Sequence, residues 1–335
     1  MSLSGVQNVT VPSFDPTLRR LDEDGIRLDI RHAIAHGFSG TLLALNAGLS
    51  PDEMRRFVEV AIDEAADALR VGIEMPIDSF ELARDVMMFA HDAGATHGVL
   101  GVPVGWQPAG EDEITAAYTN LAEAGGLRLV LPVGQVGFAA HIGGGVPWGA
   151  WARLAELDNV RGVHITTWMP HVLFAALEMF RGGLEIGIGT PALLGAMPLL
   201  AREYDVRWLS AAQWEMWQSP DQPHIVRFLE HVVAGRKQEA LDVHWRLAPA
   251  REIAFAAGLL DPELDGMPHW PLAKYVSWSV GGNGGVTREP ALHVRPHQFE
   301  ARKAMLRALG IDSRTDENEF LEGQAAAAAH RPGSA

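Results

Sequence analysis

The sequence predicts a (β/α)8 barrel, that is an α/β TIM barrel, with a helical C-terminal extension. Short apolar runs of strand length recur through the first 235 residues, longer stretches of helical character separate them, and the runs stop after Gly235. Such alternation is typical of parallel strands joined by single crossover helices. A doubly wound sheet is less favoured, because the alternation is very regular and no G-x-G-x-x-G turn follows the first run.

The strand candidates number eight when a start strand near the N-terminus is included. Each interval between them is long enough for one crossover helix, as a barrel requires. The predicted strands are Val6–Val11, Gly40–Leu45, Arg70–Met75, His97–Val104, Leu127–Val133, Val160–Ile165, Leu184–Ile188 and Val206–Ala211.

The intervening segments begin and end with residues that start and stop helices. Ser50 is followed by Pro51 and, three positions on, by Glu53, the pattern of a capping box with proline at the first helical position. Ser79 begins the next helix in a similar way, and Gly94 ends it. Three later helices open at prolines, which are Pro170, Pro191 and Pro223.

The chain divides into three predicted regions. Residues 1–235 form the barrel, and residues 236–311 form the helical extension, with a long helical stretch over 236–257 and a last helix over 296–309. Residues 312–335 contain too little apolar surface to pack, so we expect a disordered tail there.

Charge and composition exclude several functions. The formal charge is −15 and no basic cluster is present, which disfavours nucleic acid and anionic membranes as partners. The chain has no cysteine, so disulfides, thiolate metal sites and a cysteine nucleophile are excluded. It shows neither a leader pattern nor an apolar run of about 18 residues, and we expect a cytoplasmic protein.

Several short segments, in order, resemble the dihydrodipicolinate synthase and N-acetylneuraminate lyase family. They are His36–Gly40, Leu49–Glu53, Ala93–Thr96, Leu154–Val163 and Val286–Leu292. The segments span roughly residues 5–310, and their order and spacing carry the resemblance. It implies a barrel fold, lyase activity on a small oxo acid, and a homo-oligomer, either a dimer or a tetramer of barrels.

The resemblance breaks at the residues that carry the family's chemistry. His164 stands where the family has the lysine that forms an imine with a 2-oxo acid, and the family's strand-five tyrosine falls at Leu131–Pro132. The family's GTTGE turn aligns with Ala44–Gly48. The chain's lysines all follow the last predicted strand and are Lys237, Lys274 and Lys303. Because an imine needs a primary amine, we expect no class I aldolase activity.

The C-terminal ends of the strands, where barrels of this type carry their chemistry, offer a different polar set. We predict His164 as a general base, since imidazole titrates near neutral pH, or else as a packed core histidine. Glu74 is predicted to be a catalytic acid or an ion-pair partner of an arginine. The predicted substrate-binding residues are Asn46, Gln135, Thr166, Thr190, Gln213 and Trp214.

Three hypotheses follow for the function. The first is an enzyme without a cofactor that performs a lyase, hydratase or isomerase reaction on a small organic oxo acid through His164, either alone or together with Glu74. The second is an inactive barrel that binds a small molecule. The third is a metal-dependent barrel enzyme with Glu74, His164 and His141 as ligands, although no H-x-H or H-x-x-x-H spacing joins these residues.

Overall fold

The computed structural model describes most of the chain. The described residues are 2–76, 78–101, 103, 105–134, 145–167, 169–212, 214–257, 259, 263–264, 267–288 and 294–329.

Eight parallel strands form a closed barrel in chain order, which confirms the predicted fold class. Each strand pairs with the next, and the last returns to the first through Gly5 opposite Trp208 and Gln7 opposite Ser210. The strands are β1 Gly5–Thr10, β2 Gly40–Leu43, β3 Arg70–Glu74, β4 His97–Val99, β5 Arg128–Val133, β6 Val160–Ile165, β7 Glu185–Ile188 and β8 Trp208–Ser210. All eight predicted strands are present, and β4 is shorter than predicted, ending at Val99 rather than Val104.

The helices that follow the strands are α1 Glu23–Ala35, α2 Pro51–Ala65, α3 Phe80–Ala93, α4 Glu111–Ala124, α5 Trp148–Leu154, α6 Pro170–Phe180, α7 Met197–Tyr204 and α8 His224–Val233. Short 3-10 helices follow β7 and β8 at Pro191–Leu193 and Trp214–Met216. The capping box of Ser50 and Glu53 is present, as predicted. Gly94 ends α3 in the left-handed conformation with φ of 109°, which glycine adopts without strain.

The extension contains α9 Lys237–Arg246, α10 Ala248–Ala256, α11 Trp270–Trp278 and α12 Pro296–Leu309, with a two-stranded antiparallel sheet of β9 Glu263–Leu264 and β10 Met267–Pro268. The helical stretch predicted over 236–257 is therefore two helices, because Pro249 lies in the first turn of α10 and cannot donate to the preceding turn. The small sheet was not predicted.

Residues 312–329 differ from the disordered tail that the composition of residues 312–335 predicts. It contains α13 Glu317–Glu322 and α14 Gln324–Ala329. Phe320 is buried, with its ring 5.2 Å from that of Tyr275 and 5.5 Å from that of Trp278. The packing of Phe320 against these two rings of α11 thus orders a segment that has few other large apolar side chains. The boundaries between barrel, extension and tail stay a prediction.

The N-terminal half of the barrel interior is filled by a polar layer. Trp208 Nε1 donates to Gln7 Oε1 over 3.1 Å, and the amide nitrogen of Gln7 lies 3.0 Å from His97 Nε2. Since β1 and β4 are not neighbours, this contact crosses the interior. A Cβ atom added at Gly72 would lie only 2.4 Å from the His97 ring, so the layer has no spare room. The layer of Gln7, His97 and Trp208 therefore fills this end of the barrel interior.

A buried ion pair joins the extension to the barrel. Lys274 Nζ of α11 lies 3.1 Å from a carboxylate oxygen of Asp29 on α1 and 2.6 Å from Ser13 Oγ, after β1. The backbone N–H of Asn283 donates to the other Asp29 oxygen over 2.6 Å. The side chains of Lys274 and Asp29 are 3% and 9% exposed, so both charges depend on each other for solvation.

No helix among the described residues is both long and apolar enough to cross a membrane.

Replacing Lys274 by methionine should lower the free energy of unfolding by about 3–5 kcal/mol, because Asp29 would remain buried without its cation. The matched control is Lys303→Met, which removes a surface lysine paired with Glu300 and Glu317 and should cost about 0–1 kcal/mol. Urea denaturation followed by circular dichroism measures both. Equal effects of the two substitutions would contradict a special role for the buried pair.

Candidate functional site

The barrel interior has apolar walls that continue to its C-terminal end. Inward-facing residues of several strands pack there in one cluster, and Trp270 of α11 belongs to the same cluster, so the extension contributes to the lining. The buried members are Leu3, Val9, Val11, Leu42, Ala44, Ala47, Val99, Val130, Trp208 and Trp270. Hydrogen bonds and charges in such surroundings are stronger than in water, and unpaired polar groups cost more.

His164 lies inside this region. Its ring centroid is 5.5 Å from that of Trp208. A Cβ atom added at Gly189 would lie only 2.3 Å from its Nε2 atom. The glycine directly after β7 therefore leaves space for the imidazole to reach β8. Since His164 on β6 contacts β8 across the intervening strand, the side chain points into the barrel, which the sequence predicted only as one of two alternatives.

The protonation of His164 follows from one hydrogen bond. Nε2 lies 2.7 Å from the backbone carbonyl oxygen of Ser210. Because a carbonyl oxygen can only accept, Nε2 is the protonated nitrogen and Nδ1 carries the lone pair. Burial lowers the pKa of His164 to about 4, far below the near-neutral value expected from the sequence. The ring is therefore neutral at pH 7 and presents Nδ1 as a proton acceptor.

Glu74 ends β3 on the same inner surface. Gly72, two residues earlier, faces the His97 ring inside the barrel, and alternate residues of a strand share one face. Glu74 is half-buried and lies three strands away from His164 around the barrel. The two predicted catalytic residues thus lie on separate strands of the barrel, and both side chains are on its inner face.

Two buried polar oxygens at this end have no hydrogen-bond partner among the described residues. One is Oγ of Ser210, which is fully buried and shares the inner face of β8 with Trp208. The other is Oδ1 of Asn46, in the turn after β2. Unpaired buried polar atoms are uncommon and often mark a water or ligand position. Ser210 was missed from the sequence, although the alternation in Trp208–Ser210 could have indicated it.

The predicted threonines make local hydrogen bonds. Thr166 Oγ1 donates to the carbonyl oxygen of Val133 over 3.3 Å, and Thr190 Oγ1 accepts from the backbone N–H of Ala192 over 3.3 Å. Thr190 thereby caps the 3-10 helix after β7. Gln135, Gln213 and His141 lie outside the described residues.

The three tryptophans near the end of β8 do not form one pocket. Trp208 belongs to the interior cluster, whereas Trp214 and Trp217 are fully buried in the larger core between the barrel and its helices. The indole N–H of Trp214 has no partner among the described residues. The structure thus brings His164, Glu74 and Ser210 to the interior and leaves Trp214 in the helical layer.

Metal ligands do not assemble in the part of the chain that the structure describes. No group of three or more His, Asp or Glu side chains there is arranged to hold a metal ion. His141, the third ligand of the metal hypothesis, is not among those residues. The metal hypothesis therefore rests on the sequence alone.

A second buried titratable group lies between the barrel and its outer layer. Glu215, in the 3-10 helix after β8, accepts a hydrogen bond from Asn8 Nδ2 over 2.7 Å. Burial raises the pKa of Glu215 to about 7. The sequence does not indicate this side chain, because its hydrogen-bond partner Asn8 is 207 residues away.

Glu215 should make the protein less stable as the pH rises. Its pKa is higher in the folded chain than in the unfolded chain, where the ordinary value is 4.5. Folding therefore binds a proton between these values, and stability is lost from about pH 4.5 to about pH 7. Glu215→Gln removes this loss and should stabilise the protein at pH 8 by roughly 1–3 kcal/mol.

The measurement is the midpoint of urea unfolding at several pH values for the parent protein and Glu215→Gln. The glutamine oxygen can still accept from Asn8, so the fold is preserved. The difference between the two proteins should be small at pH 4.5 and grow towards pH 7. Parallel pH profiles of the two proteins would contradict the raised pKa of Glu215.

Comparison with known proteins places the fold. No family model matches the chain. The 4-hydroxy-tetrahydrodipicolinate synthase of Methanothermobacter thermautotrophicus is 27% identical over 147 residues, which cover 43% of this chain and 50% of that relative. The chain therefore matches only half the length of this curated relative.

Solved structures match almost the whole chain. N-acetylneuraminate lyase from Fusobacterium nucleatum superposes with a TM-score of 0.73 at 18% identity, covering 92% of this chain and 99% of the other. Dihydrodipicolinate synthase from Aquifex aeolicus gives a TM-score of 0.76 at 14% identity, covering 93% and 100%. The resemblance that the sequence motifs indicate is thus confirmed in the fold.

Proposed function

We propose that this chain is a divergent lyase of the dihydrodipicolinate synthase and N-acetylneuraminate lyase type that works without an imine intermediate. Its reaction would be the cleavage of a carbon–carbon or carbon–oxygen bond in a small oxo compound, or the addition of water to a double bond of such a compound. The observation that carries the proposal is a neutral imidazole, His164, inside the barrel with its unprotonated Nδ1 available. The substrate implied by the resemblance is an oxo acid.

The positions of the lysines support the absence of imine chemistry. No barrel strand contains a lysine. Lys274 is held by Asp29 and Ser13, Lys237 is exposed at the start of α9, and Lys303 pairs with acidic residues on the surface. An imine lysine must be uncharged and reach the substrate, and an ion-paired or surface amine does neither.

His164 is suited to a brief proton transfer. Nδ1 can accept a proton from a substrate carbon or from water while Nε2 stays bound to the Ser210 carbonyl. Since burial disfavours the imidazolium, the proton is returned readily to the leaving group. The carboxylate of Glu74, on the same inner wall, would favour the charged ring during that step, and the Ser210 hydroxyl could donate to a substrate oxygen.

His164→Gln should reduce turnover by about 100-fold or more, since a positioned general base contributes about that much. The glutamine amide can still donate to the Ser210 carbonyl, so the fold should persist. His91→Gln, which replaces an exposed histidine on α3, is the matched control and should keep full activity. The assay follows consumption of a panel of oxo acids and uncharged oxo compounds by mass spectrometry.

Two results would count against the proposal. One is full activity in His164→Gln. The other is a covalent adduct on any lysine after borohydride treatment with a 2-oxo acid, because that adduct needs an imine. A rise in melting temperature with ligand but no turnover in the parent protein would favour the inactive binding barrel. The homo-oligomeric state and the cytoplasmic location stay predictions.

A further inference from the structure

Trp208 and His164 lie at one level of the barrel with a glycine between them. The register pairs His164 of β6 with Gly187 of β7, and Gly187 with Trp208 of β8. A Cβ atom added at Gly187 would lie only 2.1 Å from Cε3 of the indole, so the indole occupies the space over this glycine. The two ring planes are inclined by 35°. Because protein interiors are closely packed, the orientation of the indole limits the orientation of the imidazole.

A series of hydrogen bonds holds the indole, and the direction of each bond follows from its groups. The indole N–H can only donate, and it donates to Gln7 Oε1. The other end of the Gln7 amide is then its nitrogen, which donates to His97 Nε2. His97 therefore carries its proton on Nδ1, which lies 2.8 Å from Thr96 Oγ1. That hydroxyl donates to the Val71 carbonyl oxygen over 3.1 Å. We call these linked groups the Gln7 network.

The Gln7 network is buried and leaves the indole one orientation. Gln7, His97 and Trp208 are all buried, and the rings of His97 and Trp208 meet edge to face with 6.2 Å between their centroids. A rotation of the indole would leave its N–H and the Gln7 oxygen buried without partners, which is unfavourable. Fully satisfied buried networks make an interior rigid and its arrangement unique. Apolar side chains alone could have filled this layer, as they do in many barrels.

We infer that Trp208 is a positioning residue for His164. The Gln7 network fixes the indole, and the indole keeps the imidazole turned so that Nε2 meets the Ser210 carbonyl. The inference rests on the proposed function where it gives this orientation a use in proton transfer. The orientation itself is a property of the free protein, so it can be measured without a substrate.

Gln7→Met tests the network. Methionine has a similar length but removes the partners of both the indole and His97. We expect the ring 15N resonances of His164, a single set in the parent protein, to show a second set with about a tenth or more of the intensity. Loss of one buried hydrogen bond shifts an equilibrium by about five- to tenfold. Gln238→Met, at an exposed position on α9, is the matched control and should leave the single set unchanged.

Gly187→Ala tests the contact between the rings without removing a polar group. The added methyl group would displace the indole, and the His164 resonances should shift with it. Gly183→Ala is the matched control, because a Cβ atom there would lie 3.9 Å from its nearest neighbour, the Phe180 carbonyl oxygen. This control should give the His164 resonances of the parent protein.

Gln7→Glu distinguishes positioning from a general loss of packing. Its carboxylate can still accept from the indole N–H, so His164 should keep a single set of resonances. His97 would then face an acceptor and should carry a proton on Nε2. The inference is overturned if the folded Gln7→Met and Gly187→Ala proteins keep the His164 resonances of the parent. It is also overturned if Gln7→Glu disturbs them as much as Gln7→Met. The expected shifts without turnover of any compound would refute only the proposed lyase activity.

Discussion

The hydrogen bond between His164 Nε2 and the Ser210 carbonyl is the interaction on which the account of the site depends. It reaches from β6 to β8 and needs a glycine, Gly189, directly after the strand between them. It fixes which ring nitrogen carries the proton, and the apolar surroundings keep the ring neutral. His164 could have been a simple core residue at this position. Instead, its unprotonated Nδ1 atom lies inside the barrel.

Other parts of the molecule surround Nδ1 of His164. The layer of Gln7, His97 and Trp208 fills the barrel below it, while Trp270 from the extension contributes to the lining. The extension is itself held by the buried pair of Lys274 and Asp29. Lys274 therefore joins two parts of the fold, and its charge is balanced by Asp29 and is not available to a ligand.

Much of the fold could be predicted from local pattern. Parallel strands buried on both faces give continuous apolar runs, and Val160–Ile165 was predicted with both ends as observed. Capping residues located α2 and α3, because their hydrogen bonds are made within one turn. The ordered tail was not predicted, since its order depends on Phe320 meeting α11.

The candidate site was predictable in part. The placement of His164 and Glu74 at strand ends follows from the barrel itself, and strand alternation could have added Ser210. The low pKa of His164 and the raised pKa of Glu215 could not be predicted, because both result from burial by residues distant in the chain. Local sequence determines which face a side chain is on, whereas its titration depends on the assembled core.

The proposed chemistry requires the imidazole of His164 to be neutral and protonated on Nε2. The most direct measurement is two-dimensional NMR of 15N-histidine-labelled protein between pH 5 and pH 8, with His164→Gln used to assign the resonances. We expect an Nε2–H ring whose shifts change only slightly near pH 5 and stay constant from pH 6 to pH 8. Titration of His164 near pH 6.5, or a ring protonated on Nδ1, would contradict the account.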